Sequence, residues 1–83
     1  MVILSEFIKE EINDHTKTVI LSTINEGKLY NKVKDELIFN RYSIQFLFPK
    51  NQIIIYDDIF PEEDSLHIDI DDFLKNISNS KAE

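Results

Sequence analysis

Three polar residues near the end of the chain have types and a spacing that a metal site could use. His67, Asp69 and Asp71 alternate with apolar residues, so on a β-strand they would project from one face, about 6–7 Å apart. One imidazole and several carboxylates could hold Mg²⁺, Mn²⁺ or Ca²⁺. The outward residues of a half-exposed strand show the same alternation, and the glycine and glutamate of an EF-hand loop are missing. We therefore predict no metal ion and no other cofactor.

Signatures of common catalytic sites are absent from the sequence. The chain has two histidines, one glycine and no cysteine, so it lacks a phosphate-cradling loop, a nucleophile elbow and a dinucleotide-binding fingerprint. His15 follows the first predicted helix, where a cation interacts favourably with the helix C-terminus. Its use as a base for a Ser or Thr nucleophile would require tertiary contacts that a sequence does not show. We predict that the protein is not an enzyme.

The net charge of the chain lies in its C-terminal third. Residues 1–56 hold seven acidic and seven basic side chains, whereas residues 57–83 hold nine acidic and two basic ones, which gives the net charge of −7. A one-signed block attracts basic surfaces and repels nucleic acid. Lys28, Lys32 and Lys34 form a short basic stripe, but acidic residues interrupt it and it is expected to be a solvated helix face. We expect no direct binding of nucleic acid.

The acidic residues of this block could line one edge of the predicted sheet. Residues 57–58 could end one strand, 62–64 could form a loop and 69–72 could end another strand. The carboxylates along this edge would then lie about 6–7 Å apart, the spacing of alternate residues in a β-strand. Such a row resembles the phosphates of a nucleic-acid strand and offers acceptors to the Lys and Arg side chains of a protein that binds nucleic acid. The alternative is a solvated face that keeps the domain soluble. The predicted partner-binding carboxylates are Asp57, Asp58, Glu62, Glu63, Asp64, Asp69, Asp71 and Asp72.

Three apolar residues, Ile59, Phe60 and Pro61, lie inside the acidic block. A large apolar side chain surrounded by charged residues is typical of a binding anchor. These residues could equally pack into the core beneath the loop. We include Phe60, as an anchor, among the predicted partner-binding residues.

Apolar spacing predicts the elements of the N-terminal half. Apolar residues of 4–14 recur at helical spacing, with Ser5 as a candidate N-cap. β-Branched residues are frequent in 17–24, which predicts a strand. Residues 25–38 fit either a helix, which a capping box would begin, or a hairpin whose turn lies at 25–27. The helix is favoured because strand alternation fails beyond the first residues of this segment.

Turn chemistry predicts a hairpin in the middle of the chain. Residues 42–48 alternate in polarity, and 53–56 form an apolar run. Between them, Pro49 suits the second position of a turn and Asn51 tolerates the left-handed conformation. Because 53–56 is apolar on both faces, we predict that it is a central strand or part of an interface.

The C-terminal part is predicted to contain a loop, a strand and a helix. Residues 60–65 are polar, and 66–70 alternate strictly in polarity, as expected of a half-buried strand. Asp71 or Asp72 could cap a final helix over 72–78.

Together these elements predict a small α+β domain, in which an antiparallel sheet of three to four strands packs with two to three short helices. Its single core is expected to span 1–78, and 79–83 to be a frayed tail. No window approaches the roughly 18 consecutive apolar residues of a membrane span, and the first residues lack the regions of a signal peptide. We expect a cytoplasmic protein without membrane association.

Small size, acidity and mixed α+β content resemble those of phage-encoded inhibitors, such as some anti-CRISPR proteins, and of bacterial toxin-immunity proteins. The resemblance is one of architecture and composition. With the acidic block, it implies a non-enzymatic inhibitor that occupies the nucleic-acid-binding surface of a larger basic protein, as a nucleic-acid mimic. The alternative is a small structural or homodimerising domain, joined through an open strand edge or through the apolar run 53–56.

Overall fold

In the computed structural model, which describes residues 2–60 and 65–79, the elements follow one another in the order ααββββα. They are α1 (Val2–Glu11), α2 (Asp14–Leu29), β1 (Lys34–Ile38), β2 (Tyr42–Leu47), β3 (Gln52–Asp57), β4 (Leu66–Asp69) and α3 (Ile70–Asn79). The strands of this described part form one antiparallel sheet in the order β1-β2-β3-β4, so each strand pairs with its neighbour in the chain. The predicted α+β class is confirmed.

Alternation along the strands gives the sheet one apolar face and one more polar face. The apolar face contributes fully or nearly fully buried side chains from the three strands β2, β3 and β4: Tyr42, Ile44, Phe46, Ile53, Ile55 and Leu66. Phe7 of α1, Ile20 of α2 and Phe73 of α3 belong to the same core, so the described helices all cover this face. The opposite face, which they leave open, carries residues such as Gln45 and Tyr56.

The predicted central hairpin is confirmed, and its turn uses the expected residues. Phe48–Lys50 forms a short 3₁₀ turn that contains Pro49, and Asn51 follows in the left-handed conformation, with φ 52° and ψ 43°. The Asn51 N–H donates to the Phe48 carbonyl oxygen at 3.0 Å. β3 then lies between β2 and β4, so the prediction that 53–56 is a central strand is also confirmed.

The predicted strand over 17–24 is wrong, because this segment lies inside α2. The Asn13 side chain begins the helix by accepting a hydrogen bond from the Thr16 N–H at 2.8 Å. The buried residues of α2 recur at helical spacing: Thr16, Ile20, Thr23, Ile24 and Gly27. Burial of this stripe against the sheet outweighs the modest helix penalty of the β-branched residues.

Neither interpretation of 25–38 is correct, because α2 ends at Leu29 and β1 begins at Lys34. Asn31, with φ 56°, takes the left-handed conformation, and the Lys32 N–H donates to the Gly27 carbonyl oxygen at 2.9 Å. This is the geometry that commonly ends a helix. The predicted hairpin turn at 25–27 is instead the last part of the helix.

The other predicted elements are present with shifted ends. The first helix begins before Ser5, which is therefore not its N-cap. The strand predicted over 66–70 ends at Asp69. α3 begins at Ile70, so Asp71 and Asp72 lie in its first turn, where carboxylates interact favourably with the helix dipole, rather than at a cap. Of the predicted tail, Asn79 ends α3 and the rest lies outside the described residues.

Candidate functional site: an acidic end centred on Arg41

The sheet separates the predicted row of carboxylates into two groups. β3 and β4 are antiparallel, with Gln52 opposite Asp69 and Ile55 opposite Leu66. The end of β3 therefore lies at the opposite end of the sheet from the end of β4. Asp57 lies five positions along β3 from Gln52, the residue paired with Asp69, a distance of about 17 Å at 3.3–3.4 Å per residue. A single acidic edge built from 57–58 and 69–72 is not formed.

The structure instead brings acidic residues of α1 to the end of the sheet where β3 ends. Arg41, in the turn between β1 and β2, lies among them. Its Nη1 is 3.3 Å from Glu10 Oε2, and its Nη2 is 3.9 Å from Glu6 Oε2 and 2.8 Å from Asp57 Oδ2. Glu11, which is buried, accepts a 3.4 Å hydrogen bond from the Arg41 N–H. We call the following set the acidic end: Glu6, Glu10, Glu11, Asp57, Asp58, Ile59 and Phe60.

Asp57 has a structural role at this end and is not a free acceptor, which corrects its assignment to a partner-binding row. Its side chain is only 6% exposed and pairs with Arg41 through both oxygens. Asp57 Oδ1 also accepts hydrogen bonds from the N–H groups of Ile59 and Phe60, at 3.0 and 3.2 Å. The Arg41 hydrogen bond, helped by these N–H groups, lowers the pKa of Asp57. Asp57 therefore fixes the bend that presents the residues after β3.

The bend held by Asp57 places two apolar side chains on the surface, not in the core. Ile59 is 58% exposed and Phe60 is 43% exposed. The Phe60 ring lies 5.4 Å from the Arg41 guanidinium carbon, a cation–π distance that orients the ring. Asp58 is exposed, and its carboxylate accepts a 2.5 Å hydrogen bond from the Ser43 hydroxyl. Exposed carboxylates and exposed apolar groups thus lie together at this end.

Tyr42 connects α1 to the sheet beneath the acidic end. Its ring is fully buried and packs edge-on against Phe7, with ring centroids 5.6 Å apart. Its hydroxyl donates to Glu10 Oε2 at 3.3 Å, and the Arg41 guanidinium carbon lies 5.1 Å from its ring centroid. Burial, together with the nearby Glu10 charge, raises the pKa of Tyr42 to about 12. The phenol therefore stays a donor throughout the neutral range.

Glu6, Glu10 and Glu11 are functional candidates that the sequence prediction missed. The signal available was the spacing of Glu6 and Glu10, which puts them on one helix face. Their approach to Arg41 depends on contacts between residues about thirty positions apart, which the charge count along the chain does not show. The predicted residues Glu62, Glu63 and Asp64, which follow Phe60, lie outside the described residues.

The remaining predicted carboxylates lie at the other end of the sheet. Asp69, Asp71 and Asp72 are exposed, and Asp71 Oδ2 accepts a 3.4 Å hydrogen bond from Asn51 Nδ2. Asp71 belongs to α3 and so does not continue the β4 face that carries His67 and Asp69. Within the described residues, no group of three or more His, Asp or Glu side chains is arranged to hold a metal ion.

The predicted lysine stripe is divided among three elements and does not form one helix face. Lys28 lies in α2, Lys34 in β1, and Lys32 in the connection between them. Lys32 Nζ is 3.2 Å from Asp35 Oδ2. An open pocket of about 310 Å³ lies beside this connection, lined by Gly27, Lys28, Asn31, Lys32, Phe48 and Pro49.

Comparison with family models, curated proteins and solved structures finds no match to this chain. Among residues 2–60 and 65–79, no helix combines the length and the apolar character needed to cross a bilayer.

Proposed function

We propose that the protein is a non-enzymatic inhibitor whose acidic end occupies a basic, nucleic-acid-binding surface of a larger protein. The observation that carries this proposal is the exposure of Ile59 and Phe60 among carboxylates that come from two distant parts of the chain. A large apolar side chain within a polar rim is a common arrangement at the centre of a protein interface.

The chemistry of this end suits a basic partner. Glu6, Glu10 and Asp58 lie on the surface beside Arg41, and the oxygens that Arg41, Tyr42 and Ser43 do not use can accept hydrogen bonds from Lys and Arg. The net charge of −7 would steer the protein towards a positive surface over a distance set by the ionic strength. Phe60, held over Arg41, would fill an apolar recess between the basic groups.

The proposed interface differs from the predicted row. It consists of Glu6, Glu10, Asp58 and Phe60, and the predicted residues Glu62, Glu63 and Asp64 lie outside the described part of the chain. Asp57 positions the interface from within. The carboxylates at 69–72 lie too far away to contact the same small surface, so we assign them no part in it.

A pull-down from lysate of the source cells, at about 50 mM and about 500 mM salt, tests this proposal. The wild type should capture a nucleic-acid-binding protein at low salt, release it at high salt, and release it when an oligonucleotide competes. Glu6→Lys with Glu10→Lys should abolish capture. Asp69→Lys with Asp72→Lys is the matched control, because it changes the net charge equally at the other end of the sheet and should leave capture intact.

Two results of this experiment would contradict the proposal. Equal loss of capture in both double variants would show that only the overall charge matters. Capture that persists at high salt and in the presence of the oligonucleotide would remove the electrostatic mechanism.

A second candidate function, a homodimerising interaction domain, is favoured by the open edge of β1. The apolar run 53–56 is not the dimer interface in this candidate function, because Ile53 and Ile55 face the helices and β3 has a strand on both sides. Among the described strands, β1 pairs with β2 alone, and large apolar side chains are exposed beside it.

A further inference from the structure

The four most exposed large apolar side chains of the described residues all lie on or next to β1. Leu29 is 72% exposed, Tyr30 69%, Val33 70% and Ile38 74%. Leu29 ends α2, which packs against β1, and Tyr30 follows it; Val33 directly precedes β1, and Ile38 is the last residue of the strand. Exposed apolar side chains concentrated along one edge strand, unlike single ones scattered over a surface, favour an interaction along that edge.

The backbone of β1 has a row of hydrogen-bonding groups that β2 does not use, in which the Glu36 N–H donates to Asp35 Oδ1 at 2.8 Å, a bond that a pairing strand would replace. The Phe48 N–H donates to the Val33 carbonyl oxygen, and the Phe39 N–H donates to the Tyr42 carbonyl oxygen. In an antiparallel pair such bonds alternate, so the odd-numbered residues 33–39 bond to β2. The N–H and C=O groups of Lys34, Glu36 and Ile38 therefore point away from the sheet.

We propose that a second copy of this chain pairs with β1 in the antiparallel direction, about a two-fold axis at Asp35. In this register Lys34 lies opposite the partner's Glu36, and Glu36 lies opposite the partner's Lys34. Both residues are exposed on the open face of the sheet. The two reciprocal ion pairs are the charge complementarity that selects a second copy as the occupant of this edge.

Each of the two neighbouring registers places like charges opposite one another on the open face. A two-fold axis at Glu36 would place Glu36 opposite the partner's Glu36. An axis at Lys34 would place Lys34 opposite the partner's Lys34. The proposed register does place Asp35 opposite the partner's Asp35. Each of these carboxylates already has a cation, because Lys32 Nζ is 3.2 Å from Asp35 Oδ2.

The same register covers exposed apolar surface. In this register Val33 comes opposite the partner's Leu37 on the helix-covered side. Because the two strands run in opposite directions, the two acidic ends are kept at opposite ends of a continuous eight-stranded sheet. The inference is therefore independent of the proposed use of the acidic end.

Sedimentation equilibrium from micromolar to near-millimolar concentration tests this pairing. The wild type should reach twice the monomer mass of 9.8 kDa. Lys34→Glu and Glu36→Lys should each raise the dimer dissociation constant by about tenfold, because each puts like charges opposite one another at two places. The double variant restores both ion pairs without changing the amino-acid composition, and it should dimerise as the wild type does.

Controls separate loss of pairing from loss of folding. Residues 34 and 36 are exposed, so the circular dichroism spectrum of every variant should match the wild type. Glu6→Lys with Glu10→Lys should leave the dimer intact while it abolishes partner capture. A wild type that stays monomeric throughout, or a double variant as weak as the single ones, would overturn the inference. Stronger association of Glu36→Lys than of the wild type would contradict the register.

Discussion

Arg41 is the residue on which the acidic end depends. It pairs with Glu6, Glu10 and the nearly buried Asp57, and its guanidinium lies against the Tyr42 and Phe60 rings. Removing this cation would leave Asp57 without its partner in a site with little water, which is more costly than the loss of an exposed ion pair.

Arg41→Met is therefore expected to lower the melting temperature by several degrees at neutral pH. The control Lys9→Met removes an equal charge from an exposed position of α1 and should have little effect. Thermal unfolding followed by circular dichroism compares the two variants. Equal melting temperatures would show that Asp57 does not need the cation.

The pH dependence of stability should report the same pair. Because the folded pKa of Asp57 is lowered, its contribution is present above the unfolded pKa of about 3.9 and is lost as the pH falls through the folded value. Denaturant titrations between neutral pH and acid should show this loss in the wild type. This loss of stability should be smaller in Arg41→Met. If the free energy of unfolding falls as steeply with pH in Arg41→Met as in the wild type, the loss does not come from the Asp57–Arg41 pair.

Tyr42 should make the protein less stable at alkaline pH, whereas Asp57 makes it less stable at acidic pH. The pKa of Tyr42 is raised to about 12 in the folded state and is about 10 in the unfolded state. Its contribution to the free energy of unfolding is therefore complete below a pH of about 10 and is lost as the pH rises towards about 12. Tyr42→Phe should flatten the loss of stability in this range. The control Tyr30→Phe removes a phenol hydroxyl from an exposed ring and should leave the alkaline loss of stability unchanged.

At the scale of the elements, α2 depends on a close contact between Gly27 and the Phe48 ring. A β-carbon at position 27 would collide with that ring. Alanine at an interior helix position normally gains about 0.5–1 kcal/mol over glycine. Here Gly27→Ala should destabilise the protein in urea titrations, because steric overlap outweighs the propensity. Gly27→Ala should destabilise the protein less when Phe48→Ala is also present. If Gly27→Ala stabilises the protein even with Phe48 in place, the ring moves aside freely.

The first turn of α2 offers a second test at this scale. Asn13 accepts the Thr16 N–H, so Asn13→Ala should cost about 1 kcal/mol in the free energy of unfolding. Asn13→Asp keeps an acceptor and should cost little. If both substitutions cost the same, the cap would not be the cause.

Elements with local signals could be predicted from the sequence, and those decided by distant contacts could not. Pro49 and Asn51 specify the central turn by their own backbone preferences. In α2, the run from Thr18 to Ile20 favours a strand, and only its packing against the sheet selects the helix. The helical stripe of Thr16, Ile20, Thr23, Ile24 and Gly27 was present in the sequence, but the β-branched run obscured it.

The candidate site follows the same division. Asp58 and Phe60 could be identified from the acidic block, since neighbours along the chain remain neighbours in space. Glu6 and Glu10 could not, because their place beside Arg41 depends on α1 crossing the end of the sheet. The separation of 57–58 from 69–72 follows from the antiparallel pairing of β3 with β4, which the prediction of the sheet had not taken into account.

At the scale of the whole molecule, the two proposals use different surfaces. The acidic end lies where β3 ends, and the open edge of β1 runs along the side of the sheet. A dimer joined at β1 would present two acidic ends and could engage two basic sites at once, with an increase in avidity when both lie within reach.

The order of strands in the sheet, identical to their order in the chain, also has a kinetic consequence. Each pairing closes only a short loop, so the sheet can assemble by successive local steps, which is the situation that gives fast folding. The contact of Phe7 with Phe73, at 6.2 Å between ring centroids, joins the two ends of the chain and closes a long loop, so we expect it to form after the sheet. Phe7→Leu should therefore speed unfolding more than it slows folding, whereas Ile44→Val, inside the sheet, should mainly slow folding.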